Sequence, residues 1–358
     1  MVRPALAGLL LALLMGCGDG EPGGAAVGGP PLPWAYAPFP KLTAPADNPS
    51  TPAKIELGRL LFYDPILSAD QATACATCHS EVWGMSDGLP RSVGVHGTGP
   101  TGPGRTGPNV TERNAQTLWN VAFRRELFWD GREASLEAQA LRPLEEPGEL
   151  GLPPAQAIAA LATVPAYLTL FAAAFPEETP TLSETTLARA LAAFQRSLVS
   201  ARAPYDQYVA GDAGALGEQE LVGMRLFGEA GCAGCHAPPL FESEVYAARG
   251  LGSGDPGRQA VTGLPEHAGA MRTPSLRNVR ESDPYFHDGS VVTLRAAVAR
   301  EVGIEVAHGR SRGLSEDEVD AITAFLNKSL TDRSLEPSRP KSVPSGLPVP
   351  KDGFRIPR

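Results

Sequence analysis

Basic clusters, cysteines and long apolar runs are all scarce in this chain. Its 358 residues carry 31 Lys and Arg against 40 Asp and Glu, a formal net charge of -9, and nowhere do the positive residues form a dense cluster. A nucleic-acid partner therefore has no electrostatic footprint here. The apolar run at 5–15 is too short to cross a bilayer by itself. Neither Met nor Tyr occurs anywhere from 288 to 358. Gly and Pro, by contrast, are plentiful at 39 and 35 residues. That composition fits long ordered loops and flexible ends better than an all-helical bundle. The length suggests about two domains.

The short apolar run explains itself as a signal peptide. Arg3 supplies the positive start, and LMGC at 14–17 is similar to a lipoprotein signal, in which Cys17 becomes the lipidated first residue. Residues 18–44 then read as a flexible tether. Contact with a membrane is expected through this anchor only, and the location is periplasmic or otherwise extracytoplasmic. Ordinary secretion, with Cys17 unused, is the alternative.

Of the five cysteines, Cys17 goes to that signal and the other four form two CxxCH units. CATCH runs from 75 to 79 and CAGCH from 232 to 236, so none is left for a disulfide between distant segments. A CxxC redox pair needs no histidine at the next position. A zinc site that combined the two pairs would leave His79 and His236 without a reason to be there. CxxCH is the attachment signature of a c-type haem. Cys75 and Cys78 would bind one porphyrin and Cys232 and Cys235 another, with His79 and His236 reaching the irons. Export agrees with covalent attachment, which keeps the cofactor in place outside the cytoplasm.

The spacing between the motifs exceeds what one small cytochrome domain needs, so one haem per domain is expected. The predicted architecture is mainly α, two cytochrome c-like domains at 45–200 and 217–330. A linker spans 201–216 and a Pro/Ser-rich tail, either wrapping the domain or free, spans 331–358. Helical pattern precedes each motif, with GRLLFYD at 58–64 echoing GMRLFGE at 223–229. Leu57, Leu60, Leu61 and Phe62 are core candidates in the first, and Leu221, Met224, Leu226 and Phe227 in the second. Ser183 is placed to cap a helix whose Leu187, Ala190, Leu191, Phe194 and Leu198 share a face. Ser315 and Glu318 have capping-box spacing ahead of Val319, Ile322, Phe325 and Leu326.

RNAQTLWNV at 113–121, LFWDGREASLEAQALRPL at 127–144, TPSLRNV at 273–279 and PYFHDGSVVTL at 284–294 complete a recognisable order. Over roughly 45–330 the chain resembles the bacterial dihaem cytochrome c peroxidases and the related MauG-type oxidases. That resemblance implies two haem c groups and one calcium ion. Electrons would pass from a small cytochrome c or a cupredoxin through the second haem to the first, which reduces hydrogen peroxide to water. His96 matches the removable distal ligand of the first iron, with one extra residue in its loop. Trp129 matches the tryptophan between the haems. Glu149 matches the acid that shuttles protons over the first iron, with Glu145 and Glu146 close by. Asn114 and the carbonyls of Ser282 and Pro284 match calcium ligands, and a homodimer is a family habit. His287 reads as structural or as a propionate partner, and His267 and His308 as loop residues.

One position departs from the pattern. Family peroxidases carry Met on the second iron and MauG-type members carry Tyr, but the matching residue here is Glu301. Leu294, Ala297, Val298 and Glu301 have helical spacing, so Glu301 faces inward. A buried carboxylate there needs metal ligation, a salt bridge or a register change, and His308 could serve the iron instead. An anionic oxygen ligand would lower the potential. A lowered potential suits a MauG-type oxidase better, but through the His96 and Glu149 matches the leading functional reading is a peroxidase. A MauG-like oxidase, which uses peroxide to oxidise Trp or Tyr of a partner protein, is the alternative. A non-catalytic dihaem electron carrier is the third reading, and it leaves Glu149 without work.

Overall fold

The computed structural model describes residues 39–250 and 254–355. The expectations for the signal peptide, Cys17 and most of the tether lie outside the described residues. Helices α1 (Pro52–Tyr63), α2 (Cys75–Cys78), α3 (Leu136–Glu145), α4 (Pro154–Ala162), α5 (Pro165–Ala174) and α6 (Glu184–Ser197) build the first domain. The second contains α7 (Pro204–Val209), α8 (Glu218–Glu229), α9 (Gln259–Thr262), α10 (Leu294–Ala307) and α11 (Glu316–Ala324). It also has two short antiparallel strands, β1 (Tyr246–Ala248) and β2 (Ala270–Arg272), with Ala247 opposite Met271. Among the described residues no single helix is long and apolar enough to cross a membrane.

The two halves repeat one packing device. In the first, α1 crosses α6 at Gly58, where a Cβ would fall 2.0 Å from the Ala190 carbonyl oxygen. In the second, α8 crosses α11 at Gly223, where a Cβ would fall 1.9 Å from the Ala321 oxygen. Only glycine permits either approach. Four residues after each alanine comes a phenylalanine. Phe62 meets Phe194 with ring centroids 5.1 Å apart, and Phe227 meets the π-turn residue Phe325 at 5.7 Å. Each pair sits in a separate apolar core. The similarity of 58–64 to 223–229 is thus a similarity of helix crossings. Ser183 and Ser315 cap α6 and α11 as their spacing requires, each accepting an N–H from three residues on.

Two stretches carry more structure than their composition indicates. The expected linker contains α7, whose Tyr205 and Tyr208 are buried in the second core along with Leu216. Arg277 clamps Asp206 at 2.6 Å and holds this helix down. Two tyrosines three apart bury one face, so this stretch packs on the second core. The tail, for its part, turns back across the first domain. Val343 is buried in the first core, with Leu335, Leu347 and Val349 packed against it. Ser345 Oγ donates to Asp64 at 2.6 Å, and Ser80 Oγ donates to Asp352 at 2.6 Å.

Candidate functional site: two cavities lined by cysteine pairs

Each CxxCH unit lines its own cavity. The smaller, of about 60 Å³, is walled by Cys75, Cys78, His79, Phe62, Leu118 and Glu149 among others. The larger, of about 420 Å³, is walled by Cys232, Cys235, His236 and residues of α10 and the 113–129 segment. Because the pairs stand in separate cavities, a zinc site uniting them does not assemble. Burial pushes the thiols of Cys75 and Cys232 up to about 12. Thiols so reluctant to ionise are poor agents of thiol–disulfide exchange.

The imidazoles are set for metal. His79 Nδ1 lies 2.9 Å from the Met85 carbonyl oxygen, and His236 Nδ1 lies 3.2 Å from that of Phe241. A carbonyl only accepts, so Nδ1 carries the hydrogen in both rings and Nε2 keeps its lone pair. Burial also holds both rings neutral, His236 at about 4. The larger cavity shows a further mark of its cofactor. Arg272 is fully buried on its wall, and its Nε and Nη1 have no partner there. Arg124, also on that wall, shares Glu242 with it, at 3.1 and 3.3 Å. Unpaired buried guanidinium N–H groups are costly until an acid meets them, and the propionates of a haem are such acids. The smaller cavity has the same cysteine pair and histidine, and it would have to widen to take a tetrapyrrole. Arg272 and Arg124 escaped the sequence reading, although Arg272 sits immediately before the quoted TPSLRNV.

Glu149 is the acid that faces the first cavity. Helix α3 ends at Glu145, and a turn follows in which Glu149 and Gly151 both donate to the Glu146 carbonyl. Buried Leu150 anchors the turn and leaves Glu149 half-buried on the cavity wall, while Glu145 and Glu146 are exposed. Burial raises the Glu149 carboxyl above its ordinary value, Glu146 adds to the rise, and Arg132 opposes it.

His96 is not brought into the cavity. It is exposed, in the left-handed region at φ 63°, and its N–H donates to Asp70 at 2.6 Å. The loop nonetheless borders the site, because the neighbouring Val95 N–H donates to the Glu149 carbonyl at 2.9 Å. Asp70, absent from the sequence reading, is what pins it.

Trp129 lies in the seam between the domains. Its Nε1 donates to the Asn114 carbonyl at 2.9 Å, its own carbonyl accepts from Arg272 N–H at 2.7 Å, and its ring meets His287 edge-on at 6.3 Å. Asn114, Ser282 and Pro284 all stand on the wall of the larger cavity as well. Asn114 Nδ2 donates to the Leu89 carbonyl, so the amide oxygen is its remaining acceptor. His287 is buried, His267 bonds Thr262 at 2.9 Å, and His308 is exposed beside Arg310.

Leu294, Ala297, Val298 and Glu301 line the larger cavity together, as their spacing requires. Of the ways open to Glu301, the salt bridge is the one formed, to Arg249 at 3.2 Å. Met271, on β2, also lines this cavity.

The family model described as di-haem cytochrome c peroxidase matches residues 52–214, and that of cytochrome c matches 222–329. The methylamine utilization protein MauG of Methylorubrum extorquens is 41% identical over 71% of this chain and 70% of its own length. The cytochrome c551 peroxidase of Pseudomonas aeruginosa is 34% identical over 82% of this chain and 83% of its own. A solved MauG-like protein associated with microbial copper homeostasis superposes with a TM-score of 0.71 at 30% identity, covering 84% of this chain and 95% of that one. With two CxxCH cavities, two repeated helix crossings and these relatives, the chain belongs to the dihaem cytochrome c peroxidase and MauG family.

Proposed function

We propose that this protein reduces hydrogen peroxide in its first domain, with electrons relayed through its second domain from a small cytochrome c or cupredoxin. Haem, when bound at each cysteine pair, supplies an iron that takes a ligand or an electron. The chain supplies the rest. Nε2 of His79 and of His236 would hold the irons, and Arg272 and Arg124 would meet the propionates of the second group. Trp129 bridges the seam through which electrons cross. Glu149 takes a proton from the incoming peroxide and returns it to the departing oxygen, work that suits a carboxyl whose burial raises its pKa. The observation that carries this reading is the cavity itself: of the three neighbouring acids, Glu149 alone faces Cys75, Cys78 and His79. Glu149→Gln keeps the size and removes the base. Peroxide turnover should then fall by about 10²- to 10⁴-fold with haem content unchanged. Nearly full activity in this variant would remove the assignment.

His96 belongs to this reading as a ligand that swings. It would reach the first iron only if its loop leaves Asp70. Asn114 and the carbonyls of Ser282 and Pro284 would hold a calcium ion at the seam, oxygen donors of the kind calcium prefers. The expected place of work is extracytoplasmic, with a lipid on Cys17, and a homodimer is compatible with it. The MauG-like reading, in which a partner's Trp or Tyr is oxidised, is favoured by one observation: a carboxylate, Glu301, stands on the second cavity wall, where the family resemblance leads one to expect Met or Tyr.

A further inference from the structure

The relay just described needs nothing of the second cavity but electron passage, yet one wall carries charge without a use. Arg249 holds Glu301 at 3.2 Å and Glu305 at 2.7 Å, and Arg310 holds Glu305 from its other side at 2.6 Å. Arg249, Glu301 and Glu305 line the same cavity as His236, Cys232 and Cys235. The Arg249 and Glu301 side chains keep 19% and 30% of their exposure, so solvent reaches the pair. Of the other α10 residues facing this space, Leu294, Ala297, Val298 and Val302 offer no atom that binds iron, and Glu305 is held between Arg249 and Arg310. A carboxylate engaged by a guanidinium would have to give up a charge-assisted bond to reach a metal. Left in place, the same pair is an anion receptor with a proton acceptor beside it.

The geometry points to a second small-ligand site: the Arg249–Glu301 pair receives small anions, azide and hydroperoxide among them, in the cavity where His236 would hold an iron. Arg249, whose charge is shared with Glu301 and Glu305, offers its remaining N–H groups to the bound anion. Glu301 stays off the metal because Arg249 holds it. This goes beyond electron relay and rests only on haem attachment at Cys232 and Cys235.

Sodium azide titrated into the ferric holoprotein tests it, read by optical and paramagnetic resonance spectra. Two haem additions by mass spectrometry establish the attachment beforehand. The expected result is an azide-binding phase that Arg249→Gln weakens by about ten- to a hundred-fold, the usual worth of a hydrogen bond to a charged group. Glu301→Met should abolish that phase and create a sulfur-to-iron charge-transfer band. If that second variant does not fold, the Arg249→Gln titration alone decides. A second haem that is low-spin and inert to azide overturns the proposal, whether Met271, Tyr285, His287 or Glu301 has taken the iron. So does an azide phase that Arg249→Gln leaves unchanged. A chain without haem at Cys232 and Cys235 overturns the proposal and the attachment together, and mass spectrometry alone would report it.

Discussion

Two carboxylates near the first cavity differ in opposite directions, and each sets a pH dependence. Glu149 is raised above the ordinary 4.5, chiefly by burial. It must be ionised to accept a proton, so turnover should fall on the acid side with a midpoint above 4.5. A midpoint at or below the ordinary value, in a profile of kcat/KM against pH, would contradict its role. Burial alone would raise Asp70 too, but N–H groups of Ala72 and His96 and the hydroxyls of Ser68 and Thr73 bring it down to about 2. Its folded pKa is depressed, so its contribution to holding the His96 loop is present above the ordinary 3.8 and is lost as pH falls toward about 2. Amide exchange at 94–98 should therefore speed up in Asp70→Ala at neutral pH. Unchanged exchange there would show that the loop is held by something else. Both cysteine pairs and their histidines were legible in the sequence because CxxCH names them, and Glu149, reached by resemblance, lines the first cavity. Asp70, Arg124 and Arg272 were not, because their partners lie far away along the chain.

The helix crossings make the most specific statement about elements. Gly58→Ala and Gly223→Ala each put a methyl against a carbonyl oxygen that now lies 2.0 or 1.9 Å from its place. Helix α1 must then move from α6, or α8 from α11. Each should cost about 1–3 kcal/mol of stability or more, visible as a lower unfolding midpoint of the holoprotein. The first variant should disturb the haem at Cys75 and the second that at Cys232. Equal midpoints to the parent would mean the crossings are looser than they stand. The helices themselves were readable from periodicity and caps, as α6 and α11 show. Helix α7 was hidden: six residues give too short a period, and the surrounding Gly and Ala resemble a linker. Its burial depends on Arg277, seventy-one positions away from Asp206.

At the scale of the molecule, the chain's end belongs to its beginning. The tail leaves the second domain and covers the first, burying Val343 and bonding Asp64 and Ser80 on either side of the first cysteine pair. Truncation at 333 should lower the stability of the first domain and its retention of haem. An undiminished first haem after truncation would reduce the tail to decoration. Proline and serine content showed an extended segment but not its resting place, since recognition there is by scattered side-chain hydrogen bonds and a few separated apolar side chains, whose partners lie far back along the chain. On this reading two covalently held haems make one peroxide-reducing circuit. Hydrogen peroxide added to the purified protein, once fully ferric and once half reduced, with a reduced small cytochrome or cupredoxin present, tests it most directly. The account predicts two haem additions in the mass of the chain and donor oxidised in a two-to-one proportion to peroxide. Peroxide consumed without donor, leaving an oxidised Trp or Tyr on a partner, would contradict it, and so would a chain that carries both haems and leaves peroxide untouched.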